Sequence, residues 1–206
     1  MTSAPPRWSV ALQTTPNAKF AVAGDAVVIP GYAGARSDHL FAFALADGDE
    51  RWRVALDDFV LASALSGVEL VGDPAGDAVY LAQDSMVACF DAATGAKRWA
   101  VQVPATPPFE SFTFAHPPVV AGHQLLLLSR HSRVVSLDRR DGTLRFQTTD
   151  QDAALDLVIC DDVAVTRSRE AFEVRAHDLA TGDAAWIYPL RRPFPRSSRL
   201  GTSIRL

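Results

Sequence analysis

The sequence of 206 residues has little of what catalytic, metal-binding and membrane-spanning chains usually contain. It holds two cysteines, in no Cys-x-x-Cys pair, and five histidines at no close ligand spacing, so we expect neither a disulfide framework nor a metal site. It has no Walker loop, glycine-rich dinucleotide loop or Gly-x-Ser-x-Gly motif. Because it shows no secretory signal and no apolar run near the roughly 18 residues of a membrane helix, we expect a cytoplasmic chain without a membrane span.

Basic residues are scarce in the body of the chain. The formal net charge is −4, yet residues 191–206 carry five arginines and no acid, so the preceding 190 residues carry −9, which is −4 less those five positive charges. Nucleic-acid binding requires clustered Lys and Arg that neutralise phosphates. The charge distribution therefore argues against a nucleic-acid partner, and we interpret residues 191–206 as a basic Pro/Ser/Arg tail.

What the sequence does contain is a phrase repeated four times. Each copy has a short apolar strand, a turn that ends on glycine, and an aromatic residue four positions after that glycine. The glycine and aromatic pairs are Gly48 and Trp52, Gly95 and Trp99, Gly142 and Phe146, and Gly182 and Trp186. The glycines are 47, 47 and 40 residues apart. Short strands that recur at about 40 to 50 residues are typical of a β-propeller, in which each repeat forms one four-stranded blade.

The turns carry a second repeated feature, an aspartate four residues before the glycine. Asp91, Asp138 and Asp178 occupy this position, and a carboxylate there can accept hydrogen bonds from backbone N–H groups of the turn. The first copy has Ala44 instead, so we expect its turn to lack one such bond. The regular placement of the aromatic residues on the outermost strand indicates that each ring covers the gap to the next blade.

A small residue stands in the third strand of every copy, at Ala42, Cys89, Ser136 and Ala176. Small side chains suit a strand packed closely between neighbouring sheets, so we expect these positions to tolerate enlargement poorly. Cys89 is thereby interpreted as a small buried core residue. Cys160 also lies in an apolar run, and the same interpretation is given to it.

A hairpin of two Val-rich strands around Gly or Asp precedes each phrase and supplies the first two strands of each blade. We therefore predict an all-β chain of four recognisable four-stranded blades, forming an open or partial propeller. The propeller repeats span residues 1–190. The boundaries are an outer strand at 8–12, blades at about 19–56, 67–103, 117–149 and 155–190, and the tail at 191–206.

These motifs resemble the quinoprotein-like, or PQQ-like, propeller repeat. The second copy matches best, with Val79-Tyr80-Leu81, then Cys89-Phe90-Asp91-Ala92-Ala93-Thr94-Gly95 and Trp99. The family includes PQQ-dependent dehydrogenases and BamB-type outer-membrane assembly scaffolds. The dehydrogenases carry an adjacent Cys-Cys pair and a calcium site that includes Asn, whereas the two cysteines here are 71 positions apart and Asn17 is the only asparagine. The resemblance thus implies a scaffold, and we expect no cofactor, PQQ included.

The N-terminal segment Trp8-Ser9-Val10-Ala11-Leu12 echoes Trp52-Arg53-Val54-Ala55-Leu56, the outer strand of the first copy. The chain therefore has five outer strands for four sets of inner strands, so Trp8 either pairs with a missing blade or lies against blade 1 as an unpaired edge. The resemblance implies seven or eight blades in full propellers. A closed four-blade ring, an open arc and a dimeric ring of eight blades all remain open at this point.

The sequence favours a non-catalytic interaction module that binds a protein or peptide, or that associates with itself through open blade edges. A candidate partner surface is the Pro-rich loop that carries Phe109, Phe112 and Phe114, since three large apolar rings there require cover. The alternatives are a fragment related to PQQ-dependent dehydrogenases that binds a quinone cofactor, and a truncated propeller without independent function. No catalytic residue is assigned.

Overall fold

The computed structural model describes residues 7–12, 19–32, 38–56, 68–104, 114, 116–129, 133–148, 154–168 and 172–190. Within these residues every regular element is a β-strand, and the strands form four antiparallel sheets of four. Neighbouring strands of each sheet follow one another in chain order. The structure confirms the all-β fold class and the four four-stranded blades.

Each sheet is one blade, and its first strand is followed outward by the other three. Blade 1 contains β1 (Ala21–Ala23), β2 (Ala26–Tyr32), β3 (Asp38–Ala44) and β4 (Glu50–Ala55). Blade 2 contains β5 (Glu69–Gly72), β6 (Ala78–Gln83), β7 (Met86–Asp91) and β8 (Lys97–Gln102). Blade 3 contains β9 (Val119–Ala121), β10 (Gln124–Leu128), β11 (Val134–Asp138) and β12 (Leu144–Gln147). Blade 4 contains β13 (Ala154–Cys160), β14 (Val163–Ser168), β15 (Glu173–Asp178) and β16 (Ala184–Pro189).

The turn between the third and fourth strands is the same in every blade. Its glycine N–H donates to the carbonyl four residues earlier, at 2.9, 2.9, 2.9 and 2.8 Å for Gly48, Gly95, Gly142 and Gly182. The φ angles of these glycines lie between +74° and +82°, a conformation that costs glycine least. Asp91 Oδ1 also accepts the Thr94 N–H at 2.9 Å, a bond that Ala44 cannot supply in blade 1.

Each blade contains a row of four directly paired residues, one from each strand, that ends on the outer-strand aromatic. Directly paired residues lie on one face of a sheet, which we call the forward face of the blade; the opposite face is its rear face. The rows are Ala21, Val28, Ala42 and Trp52; Val71, Tyr80, Cys89 and Trp99; Val119, Leu126, Ser136 and Phe146; and Val158, Val165, Ala176 and Trp186.

The apolar core is divided among the joints between consecutive blades. One cluster of buried side chains lies between blades 1 and 2, a second between blades 2 and 3, and a third between blades 3 and 4. In the first cluster, Val28 and Trp52 of blade 1 pack with Leu81 and Phe90 of blade 2. The forward face of one blade therefore packs on the rear face of the next, so each blade depends on its neighbours for burial.

Candidate functional site

The joint between blades 1 and 2 is built around one indole ring and one glycine. Trp52 is 8% exposed and lies flat on the turn of blade 2, where a Cβ added at Gly95 would be 2.6 Å from Trp52 Cε3. The indole Nε1–H donates to the Ala92 carbonyl at 2.9 Å. Only glycine leaves room for the ring there, so the aromatic residue and the next blade's glycine act as a matched pair.

The same joint recurs between blades 2 and 3. A Cβ at Gly142 would lie 2.7 Å from Trp99 Cε3, and Trp99 Nε1–H donates to the Arg139 carbonyl at 3.0 Å. Between blades 3 and 4, Phe146 packs on Gly182. Trp99 and Phe146 are each 9% exposed.

The ring of Phe146 has no N–H group to match the indole N–H of Trp52 and Trp99. Another side chain makes the corresponding hydrogen bond. The Leu179 carbonyl, which corresponds to Ala92 and Arg139 in the other joints, accepts a hydrogen bond from Gln124 Nε2 at 2.8 Å. Gln124 is held in turn by the Ser136 hydroxyl, which donates to Gln124 Oε1 at 2.6 Å. The carbonyl in this turn is thereby satisfied although the ring has changed.

Trp8 occupies the corresponding site on blade 1. A Cβ at Gly48 would lie 2.6 Å from Trp8 Cδ2, and Trp8 Nε1–H donates to the Leu45 carbonyl at 3.0 Å. Residues 7–12 form no strand and belong to none of the four sheets, so the predicted outer strand at 8–12 is wrong. Trp8 therefore lies against blade 1 as the outer-strand aromatic of a preceding blade would, and the described residues contain no other part of such a blade.

Trp186 is the one outer-strand aromatic of the four blades that is largely uncovered. It pairs with Ala176 in the register in which Trp52 pairs with Ala42, yet it is 47% exposed. Two other side chains of the forward face are also exposed, Tyr188 at 64% on the same strand and Val158 at 59% on the opposite edge strand, β13. The arc of blades is therefore open at this end, and the forward face of blade 4 is the candidate interaction surface.

Cys160 also lies on this surface, which corrects the interpretation of it as a core residue. Cys89 is fully buried as expected, but Cys160 is exposed. In β13, Cys160 and Val158 share the forward face, whereas Leu157 and Ile159 pack into the core toward blade 3. We refer to Val158, Cys160, Trp186 and Tyr188 together as the open face. At the margin of the open face, Arg167 Nη2 lies 2.8 Å from Asp156 Oδ2 and forms an ion pair with it.

A cavity of about 380 Å³ lies beside the joint between blades 2 and 3 and is a polar alternative to the open face. Its lining includes Tyr80, Arg98 and Arg139. Arg139 is paired with the buried Asp73 and donates from Nε to the Tyr80 hydroxyl at 3.0 Å. The Asp73 carboxylate of blade 2 neutralises the Arg139 guanidinium of blade 3. The cluster therefore forms a salt bridge that holds blades 2 and 3 together.

Arg98 makes a similar contact within blade 2. Its Nη2 donates to Asp91 Oδ2 at 2.8 Å, while the Thr94 hydroxyl donates to Asp91 Oδ1 at 2.8 Å. The hydrogen bonds from Arg98 and Thr94 lower the pKa of Asp91 to about 2. The turn of blade 2 is thus fixed by a charged group as well as by its glycine.

Of the three phenylalanines predicted to form a partner surface, only Phe114 lies within the described residues. It is 5% exposed, packs in the cluster between blades 2 and 3, and forms an isolated bridge with Ser129. Phe109 and Phe112 fall outside the described part of the chain, so a partner surface there stays a prediction for them. The sequence pattern does not predict the open face, although Trp186 itself belongs to the repeat.

The two cysteines lie in different blades. Cys89 is buried in blade 2 and Cys160 is exposed in blade 4, so they cannot form the adjacent cysteine pair of the dehydrogenases. The described residues contain no group of three or more His, Cys, Asp or Glu side chains arranged to hold a metal ion. They also contain no helix with the length and hydropathy needed to cross a membrane.

The blades and their repeated joints define a β-propeller of quinoprotein-like repeats. The sequence model of the family described as outer membrane protein assembly factor BamB matches residues 5–149 and 83–203, and the chain belongs to that family. No curated protein matches the chain significantly.

Many solved structures share the fold. Three of them are BamB from Moraxella catarrhalis (TM-score 0.63, 14% identity, 87% of this chain and 50% of that one), a europium-containing methanol dehydrogenase (0.58, 12%, 87% and 43%) and the computationally designed Ika8 protein (0.59, 14%, 84% and 48%). This chain therefore spans about half the length of the structures that it matches.

The joint predicts that Gly95→Ala is more destabilising than Gly122→Ala. Both glycines have positive φ, at +74° and +55°, but a Cβ at Gly122 has no atom within 4 Å. Gly95→Ala should therefore lower the free energy of unfolding by about 1–3 kcal/mol more, the usual cost of overpacking. Urea denaturation of both variants measures this difference. Equal losses would contradict the packing of Trp52 on the glycine.

The pKa of Asp91 predicts a pH-dependent contribution to stability. Because this pKa is lower in the folded chain than the ordinary 3.8, protons bind the unfolded state first, and the contribution is lost as the pH falls from about 4 to 2. Asp91→Asn should therefore be less stable than the wild type at pH 7, and the gap should narrow toward pH 2. Urea denaturation at several pH values from 7 to 2 measures this difference in the free energy of unfolding. The exposed Asp49→Asn variant is the control. A gap independent of pH would contradict the assignment.

Proposed function

We propose that the chain is a non-catalytic propeller scaffold that binds a protein partner through the open face of blade 4. The observation that carries the proposal is the 47% exposure of Trp186, against 8% for Trp52 in the same register. The ring is already oriented by its sheet, so binding would require little further ordering of it. Trp and Tyr in such positions are the residues that most often dominate protein interfaces.

The composition of the surface supports a protein partner. Val158, Trp186 and Tyr188 give it an apolar and aromatic centre, and the Asp156–Arg167 ion pair lies beside them. An apolar surface with a charged margin is typical of protein interfaces, and several exposed apolar side chains on one face of a sheet favour an interaction site.

The family supports the same role. Its description names an assembly factor, and we extend that kind of function, the binding of other proteins, to this chain. We also keep the cytoplasmic location that the sequence predicts. The methanol dehydrogenase shares the fold at 12% identity, which alone supports no shared chemistry.

Binding of PQQ separates the scaffold from the dehydrogenase-related alternative. Equilibrium dialysis of the chain against PQQ and Ca²⁺, followed by the absorbance of the quinone, should show no retained cofactor. Retention of one PQQ for each chain would contradict the scaffold proposal, because the scaffold requires no quinone.

The open face itself is tested by removing its aromatic rings. The tagged chain, the double variant Trp186→Ser/Tyr188→Ser and the control Leu144→Ser are cross-linked in cells that naturally produce the protein. Leu144 is 41% exposed on blade 3 and lies outside the open face, so it controls for a general loss of surface hydrophobicity.

The wild type and the control should give the same cross-linked protein, with a second copy of the chain counted as a partner. The double variant should bind that protein about tenfold or more weakly, since a central interface aromatic contributes about 2 kcal/mol or more. Circular dichroism establishes that the variant is folded. An identical cross-linked product from all three proteins would contradict the proposed surface.

A further inference from the structure

We propose that the partner of the open face is the rear face of blade 1 of a second copy, so that two chains form a closed ring of eight blades. The proposal rests on the proposed function, because it names the occupant of the same surface. It also assigns a role to Trp8, which occupies the docking site on blade 1 and must leave it when the second copy binds.

The joints between consecutive blades show what each end of the arc lacks. Three aromatic residues, at positions 52, 99 and 146, pack on the glycine turn of the next blade, at positions 95, 142 and 182. This pairing leaves two halves that no other described blade covers, the aromatic Trp186 on blade 4 and the glycine turn of Gly48 on blade 1, on which Trp8 packs instead. Each is the half that the other requires, and both belong to the same repeat.

A second copy of the chain would also close the ring of blades. When Trp186 of one chain packs on Gly48 of another, the second chain presents its own Trp186 toward the first chain's Gly48. In a ring of eight blades each chain supplies four, so two equal joints complete the ring with two-fold symmetry, the commonest symmetry of soluble assemblies. Two copies also match the length of the solved relatives, of which one chain covers 50, 43 and 48%.

The two surfaces that would meet both expose apolar side chains. The rear face of blade 1 presents Val22 at 48% exposure and Phe20, just before β1, at 63%. Val22 points away from blade 2 because its neighbours Ala21 and Ala23 pack into the cluster between blades 1 and 2. The open face offers Val158 and Tyr188 in return. Joining the surfaces would bury apolar side chains on both sides.

Trp8 is a competitor that can be displaced. It holds blade 1 by one hydrogen bond, to the Leu45 carbonyl, and by its contact with Gly48, while residues 7–12 pair with no strand of the four sheets. Trp186 would replace both contacts and would bring the other side chains of the open face with it. Removing the Trp8 ring should therefore strengthen the association of two chains, whereas a purely structural role would weaken the protein.

The full chain tests the proposal by light scattering during size-exclusion chromatography over a series of concentrations. The measured mass of the wild type should rise from 22.2 kDa to twice that value as the protein concentration increases. Trp186→Ser should remain monomeric, and Leu144→Ser should behave as the wild type. Trp8→Ala should lower the dimer dissociation constant by about fivefold or more, since it removes one competing hydrogen bond and its ring contact.

Cys160 reports whether the association uses the open face. Burial raises the pKa of Cys89 to about 11 and the side chain is inaccessible, so a bulky thiol reagent should react with Cys160 alone. Its reaction should slow in the dimer of the wild type and stay fast in Trp186→Ser. Dimers in which Cys160 reacts as fast as in the monomer would overturn the proposal.

The remaining outcomes separate this inference from the proposed function. If the wild type and Trp8→Ala both stay monomeric at the highest soluble concentration, or form open chains longer than two copies, the ring is excluded. Should another protein still cross-link in a manner that depends on Trp186, the scaffold function stands and only the second-copy proposal fails. If neither association depends on Trp186, both fail.

Discussion

The packing of an outer-strand aromatic ring on the glycine turn of the next blade is the interaction on which the structure depends. It occurs between each pair of consecutive blades, and the apolar clusters of the core lie at the same three joints. A single blade has no sufficient core of its own, so its stability comes from its neighbours. The same dependence leaves the end of the arc with an apolar face that nothing in the described chain covers.

Structural and functional features therefore have one origin in this protein. Trp52 is a core residue because blade 2 follows it, and Trp186 is a surface residue because no blade of the described chain follows blade 4. The chemistry of the two side chains and their positions in the sheet are alike. What differs is the neighbour, and that difference is what converts a structural repeat into a candidate binding surface.

The sequence predicted the fold well because its signals are local. The spacing from Gly95 to Trp99 and the aspartate at 91 report a turn within a few residues. The Gly-to-aromatic spacing occurs four times and the aspartate three times, and this repetition indicates the propeller. The sequence could not show which face of a strand is covered, so Cys160 was placed in the core together with Cys89. Nor could it show that Gln124 supplies the hydrogen bond that Phe146 lacks, since those residues meet the same turn from different strands. The repeat pattern predicts an outer strand at Trp8, but residues 7–12 form no strand, and the position of Trp8 on Gly48 depends on the three-dimensional arrangement of the blades.

The exchange of the four indole N–H protons with solvent tests the central claim most directly. In a nitrogen-15 spectrum of the dilute chain, the Trp52 and Trp99 indole protons should exchange slowly, because they donate to the Ala92 and Arg139 carbonyls inside blade joints. The Trp186 indole proton should exchange rapidly. Slow exchange of the Trp186 proton in the monomer, matching that of Trp52, would show that blade 4 is covered and would contradict the account.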